Sequence, residues 1–246
     1  MSRLYIETQV VNGRTVLSDC YFTAPFKITN PFYNGKAAEI MIMQASAGIL
    51  AGDSLSIELN IGAGSHVRIT GQSYTKLFKM ENSSAEQNVR ITVGENACLH
   101  YMPCPVIPFK GSNFICTTDV KLCPDSKFIM QDILSCGRTA MKESFEFESY
   151  HSRIMVHEDN KLVFADNTRL IPSEFNMSSM GFFEGKTHIA SAYFYGYDGL
   201  ELSEDKNIDM GVTSAKRGSL LKMAGFSSDE LVNYINKTIE ENGYGL

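Results

Sequence analysis

One hydrophobic pattern recurs four times along the chain. Ile57, Leu59 and Ile61 alternate with other residues, the five residues GAGSH intervene, and Val67 and Ile69 resume the alternation. The same order returns as Val89, Ile91 and Val93, then GENAC, then Leu99 and Tyr101. It returns again as Val120 and Leu122, CPDSK, Phe128 and Met130, and last as Ile154 and Val156, HEDNK, Leu162 and Phe164. A period of two puts one side of each segment in a core, which is the signature of β-strands. The inserts carry Gly, Asn, Asp, Pro and Ser, residues that tolerate tight or left-handed turns. The second halves of the units begin at Val67, Leu99, Phe128 and Leu162, spaced 32, 29 and 34 residues apart. Such a period predicts a mainly β fold, with strands and hairpins stacked on a continuous apolar interior as a short β-helix-like solenoid.

Beyond the repeats, the aromatic, β-prone stretch Thr187–Ser203 predicts further strand. The stretch Asp166–Lys186 reads as a long irregular connection, a type of loop that is often functional. About two α-helices are expected toward the carboxyl terminus. In SSDELVNYINKTIEEN, Ser227 and Glu230 have capping-box spacing, Leu231, Ile235 and Ile239 share one face, and Gly243 follows as a stop. The second expected helix is SAKRGSLLKMAGF, residues 214–226, ending near Gly225. The expectation is a single domain, with a strand stack over about 1–205 and a helical segment over about 212–242.

Charge removes some classes of function. The 246 residues carry 22 Lys and Arg against 28 Asp and Glu, a net charge of −6, so no basic footprint for nucleic acid exists. No apolar run approaches the ~18 residues of a membrane span, and a cytoplasmic location is expected. The six cysteines form no CxxC pair and are expected to be reduced core residues rather than a disulfide framework.

Local motifs for chemistry are weak. SAGILAGDS, residues 46–54, has two glycines, an acid and two hydroxyls, but a Walker loop needs lysine where Asp53 stands. Asp53 would repel phosphate, leaving it to cap a turn or face a polar passage. GQSYT lacks the closing glycine of a nucleophile elbow. No HxH or HxxxH pair occurs among the five histidines. The nearest approach to a soft-metal set is Cys98, His100 and Cys104, which could equally fill a hairpin face. In YMPCPVIPF, Pro103, Pro105 and Pro108 predict a rigid edge, either an apolar docking rim or a plain kinked corner.

An ordered series of segments resembles the urease accessory proteins called UreD or UreH. TAPFKITNPFY resembles the family's P-x-K segment, and SAGILAGDSLSIELNIGAG its G-G-x-x-x-G-D with the strand and glycine turn that follow. RITGQSYTKLFK is similar to T-x-Q-[SA]-x-x-K, YMPCPVIPF to P-x-P-x-I-P-F, and ILSCGRTAMKESFEF to G-R-x-x-x-x-E-x-F. The series runs from Thr23 to Phe147, with two departures: Ala47 and Ala51 stand where the family has glycine, and the chain has no tryptophan. The resemblance implies a non-enzymatic chaperone of metallocentre assembly. Its implied partners are UreF, the GTPase UreG through UreF, and urease apoprotein, within a dimeric heterocomplex. It implies no tightly bound cofactor, nickel only in transit along a conduit, and a strand stack with two helices. Asp53, Gln72, Lys76 and Arg138 fall in the matched motifs. With Pro103, Pro105, Pro108, Leu231 and Ile235 they form the expected conduit and interface set. A small hydrolase on a β-scaffold and a metal-storage protein are the competing classes.

Overall fold

A computed structural model describes residues 1–246. β1 (Ser2–Val11) and β2 (Arg14–Phe22) form a hairpin, and β3 (Phe26–Ile28) and β4 (Phe32–Asn34) pair with β5 (Ala37–Gln44). One turn then comprises β6 (Ser54–Ile61), β7 (His66–Gly71) and β8 (Thr75–Leu77). The next comprises β9 (Ala85–Val93), β10 (Cys98–Met102) and β11 (Val106–Pro108). β12 (Asn113–Leu122) and β13 (Lys127–Ser135) begin a third, and β14 (Ser149–Glu158) doubles back as β15 (Lys161–Leu170). β16 (His188–Tyr195), β17 (Asp209–Ala215), β18 (Gly218–Gly225) and α1 (Ser228–Glu241) complete the chain.

These elements build a β-solenoid of about four turns. In the first sheet β1, β6, β9, β12 and β14 run parallel, flanked by antiparallel β2 and β15. The second sheet stacks β5, β7, β10 and β13 in parallel and continues antiparallel through β16, β18 and β17. A narrow third wall is made by β8 and β11, with a bridge from Ile49 to Leu77.

In-register stacking explains the sequence period. Val67, Leu99 and Phe128 are direct neighbours across β7, β10 and β13, as the 32- and 29-residue spacings require. Facing them, Ile6, Leu59, Ile91, Val120 and Val156 form one buried column through the first sheet. The first three units are therefore corners between sheets, not hairpins. Each corner closes on itself, Ser65 N–H donating to the Gly62 carbonyl, and then rests on the corner before it. Gly62 N–H donates to the Thr8 carbonyl at 3.0 Å, and Gly94 N–H to the Ile61 carbonyl at 2.9 Å. A Cβ on Gly62 would lie 2.4 Å from that Thr8 oxygen, so the close approach demands glycine. Only the fourth unit reverses direction. Asp159 and Asn160 both take positive φ, +46° and +61°, which is the two-residue turn of a twisted hairpin. Leu162 accordingly pairs back on His157, and Tyr195 takes the place beside Phe128.

The main core lies between the two sheets; a second apolar cluster lies between the outer face of the second sheet and α1. α1 begins as its sequence predicts: Ser227 Oγ accepts from the Glu230 N–H at 3.4 Å. Leu231, Ile235 and Ile239 are buried against Ile129, Ile133 and Phe194 of the second cluster.

Three expectations are corrected. The chain has one helix, not two, because residues 214–226 lie in the β17–β18 hairpin. There Leu221 pairs with Ala192 of β16, and Gly218 sits so close to the Phe194 carbonyl that a Cβ would lie 1.7 Å from it. Sheet pairing overrides the helical spacing. The irregular connection starts at Ile171, since β15 keeps Asp166 paired with Ile154 and runs on to Leu170. In the stretch 187–203, strand ends at Tyr195.

The second cluster predicts the weight of the helix. Ile235→Ala leaves a cavity beneath α1 and is expected to lower unfolding stability by ~2–5 kcal/mol. Urea denaturation checks this, with exposed Lys237→Ala expected to stay near wild type.

Candidate functional site

Alternation along the strands places several polar side chains on the inward, core-facing phase. On β9 that phase reads Ala85, Gln87, Val89, and on β12 Phe114, Cys116, Thr118, Val120. β14 contributes Ser152 between Tyr150 and Ile154, and β13 contributes Asp132 between Met130 and Leu134. Parallel register stacks Gln87, Cys116 and Ser152 in one column. Ser152 Oγ crosses to the other sheet and donates to Asp132 Oδ2 at 2.8 Å. Gln87 Nε2 points at Cys116 Sγ at 3.8 Å. A polar stripe therefore runs through the interior.

Burial keeps this stripe short of charge. It pushes the Cys116 thiol up to about 12, with the Asp132 carboxylate adding to the effect, and the Cys104 thiol up to about 11. The Tyr150 hydroxyl is held well above its ordinary value for the same reason. The Asp132 carboxyl is also raised, by burial first; the Ser152 hydrogen bond and the Lys222 ammonium partly offset this.

Three cavities follow the stripe. The first, about 120 Å³, is bounded by Gln44, Ser46–Gly48, Gln72–Lys76 and Cys104. It shares Thr75, Gln87, Tyr101, Pro103 and Cys104 with a middle cavity of about 50 Å³. That in turn shares Asp132 and Tyr150 with a cleft of about 680 Å³. The cleft opens where β14 doubles back into β15 while the second sheet continues through β16 and β18, and Asp166, Arg169, Glu184, Asp209 and Lys222 line it. Across this opening the Lys222 ammonium pairs with Asp166.

The sequence-predicted residues divide into two groups. Gln72, Lys76, Pro103 and Cys104 come together around the first cavity. The others line none of the three. Asp53 caps a turn, its Oδ2 accepting from the Leu50 N–H at 2.8 Å. Gly48, five residues earlier, is fixed by packing: a Cβ there would lie 2.5 Å from the Lys76 carbonyl oxygen. Cys98, His100 and Cys104 do not converge. Cys98 and His100 face the α1 cluster, where the Tyr197 hydroxyl lies 3.2 Å from Cys98 Sγ and 3.3 Å from His100 Nε2. Burial lowers the His100 imidazole to about 3. Cys104 lies past the end of β10, against Gly71. No group of three His, Cys, Asp or Glu side chains is placed to hold a metal ion.

The proline segment is a corner, not an exposed rim. Pro105 and Pro108 are buried, the Pro105 carbonyl accepts from the Thr75 N–H, and the Pro103 carbonyl accepts from Gln131 Nε2 at 2.9 Å. Arg138 clamps a carboxylate of its own chain. Its guanidinium pairs with Glu143, which is 7% exposed, and stacks 4.2 Å from the Phe109 ring centroid. Leu231 and Ile235, both 0% exposed, are unavailable to a partner while α1 is docked.

Comparison with known proteins decides the family. The family described as "UreD urease accessory protein" matches residues 1–241. The chain belongs to the UreD/UreH family. It is 39% identical over 242 residues to urease accessory protein UreD of Acetivibrio thermocellus, covering 94% of this chain and 92% of that protein. It is 35% identical to urease accessory protein UreH of Helicobacter acinonychis, covering 94% and 91%. Against UreH of Helicobacter pylori strain J99 the identity is 39% over 189 residues, covering 76% and 71%. Membership agrees with a urease accessory role, with a solenoid as the scaffold. No helix of this UreD/UreH chain is long and apolar enough to cross a membrane.

Asp132, Cys116, Gln87 and Ser152 escaped the sequence reading, although a signal existed. In FIMQDIL, residues 128–134, Asp132 occupies the same phase as Phe128, Met130 and Leu134. A carboxylate on an apolar phase marks a buried charge.

That carboxylate predicts a pH dependence. Below the ordinary carboxylate value of about 3.9, Asp132 is neutral both folded and unfolded, and wild type should match Asp132→Asn. As pH rises the unfolded chain ionises first, so wild type loses stability until pH passes the raised folded value. Urea midpoints are expected to favour Asp132→Asn at about pH 7 and to coincide at about pH 3.5.

Proposed function

We propose that this UreD/UreH-family chain is a non-catalytic assembly factor that helps insert nickel into urease. It binds UreF and, through it, the GTPase UreG, and the complex acts on urease apoprotein. The observation that carries the reading is the line of wall-sharing cavities along the polar stripe, in a chain that belongs to a family of urease accessory proteins. Nickel is cargo here, not a resident cofactor. A cation entering the cleft meets Asp132, while the thiols along the stripe are held protonated by burial. One carboxylate with hydroxyl and amide neighbours gives a weak hold, which suits release. Gln72 and Lys76 border the far cavity, away from Asp132.

Co-expression with urease, UreF and UreG tests the reading. Omitting this chain is expected to abolish urease activation. Asp132→Asn is expected to lower urease nickel content and activity several-fold, while pull-down of UreF stays intact. Full activation without the chain contradicts the reading. Turnover by the isolated chain would make it an enzyme, and tight stoichiometric nickel binding in equilibrium dialysis would make it a store.

A further inference from the structure

Tyr74 belongs to the loop between β7 and β8 and lines the first cavity, beside Ser73, which holds positive φ of +59°. Its hydroxyl is not free. It donates to the Asp229 carboxylate and accepts from Ser228 Oγ at 3.1 Å. Ser228 and Asp229 form the first turn of α1, and Ser228 is 6% exposed. The wall of the first cavity, which opens to the surface, is thus tied to a helix more than 150 residues later in the chain. The body of that helix is held separately. Leu231, Tyr234, Ile235 and Ile239 anchor it on the second apolar cluster, and Arg68 Nη2 donates to Asn236 Oδ1 at 2.7 Å.

Phe226, two residues before this turn, is held by the segment that leads to the large cleft. The Phe226 carbonyl accepts from Thr187 Oγ1 at 3.1 Å, and the Lys186 ammonium lies 4.7 Å from the Phe226 ring centroid. Lys186 also pairs at 3.1 Å with Asp209, which lines the large cleft. Ser228 and Asp229 therefore bond directly to the wall of the first cavity, whereas Phe226 is connected to the cleft only through Lys186 and Asp209.

We propose that the first turn of α1 is a latch on the first cavity, with Tyr74 as the residue through which it acts. While the turn is seated, Tyr74 is pinned toward Asp229 and the loop Gln72–Lys76 keeps the cavity at its present width. Lifting the turn frees Tyr74 and exposes the groups behind it, Cys104 foremost, without undocking the rest of the helix. The latch goes beyond the nickel reading and does not depend on it, because it concerns only the geometry of the wall.

Thiol labelling of the full chain with N-ethylmaleimide, resolved by peptide mass spectrometry at one fixed pH, tests it. Cys104 borders the first cavity, whereas Cys98 is 4% exposed within the α1 cluster. In Tyr74→Phe and Asp229→Ala the labelling rate of Cys104 is expected to rise about five- to tenfold, the factor carried by one or two lost hydrogen bonds. Cys98 is expected to keep its wild-type rate, which shows the helix still docked. Two results overturn the proposal: Cys104 unchanged in both variants, or Cys98 and Cys104 rising together, which would mean that the whole helix had loosened.

Discussion

In-register stacking of one turn on the next governs this molecule. Gly62 and Gly94, and Cys123 at the third corner, rest each turn directly on the backbone before it, so equivalent positions such as Val67, Leu99 and Phe128 become neighbours. A choice made on the inner phase of one strand then meets the choices on its neighbours. Where the phase is apolar, a column such as Ile6 to Val156 fills the core. Where it is polar, Gln87, Cys116 and Ser152 stack into a stripe that no loop could hold so steadily. Stacking ends at Asp159 and Asn160, where the chain reverses. Beyond that reversal the first sheet is narrower than the second, and the large cleft is the consequence.

The stripe is costly as structure. A carboxyl and thiols among apolar neighbours lose hydration, and that loss raises their pKa. Apolar side chains on the same phase would pack with less penalty, as they do one column away. A fold that keeps such groups inward gives up stability for polarity along a defined line, a trade that fits sites with a task.

Much of the fold could be read from the chain, for a physical reason in each case. The turn spacing was visible because parallel register converts stacking into a sequence period. The buried face of α1 was visible because Leu231, Ile235 and Ile239 keep helical spacing. A corner between two sheets and a hairpin share the same turn residues, however, and only hydrogen bonding separates them. Residues 214–226 have helical spacing too, yet pairing with β16 makes them strand. The site was harder. Sequence proximity joined Cys98, His100 and Cys104, while alternation and the end of β10 send them to different sides of the sheet. Asp53, Pro105, Pro108 and Arg138 lie in family motifs, and here each makes a turn, corner or internal ion pair. Asp132 was missed because its meaning lies in its phase, not in any motif.

In the proposed assembly role the polar stripe offers a metal cation a path past Asp132. Diffraction from crystals of the chain soaked in a nickel salt, recorded at the nickel absorption edge, tests it most directly. An anomalous peak is expected within bonding distance of the Asp132 carboxylate, between the middle cavity and the cleft. Peaks confined to outward-facing side chains such as His151, with none along the stripe, would contradict it.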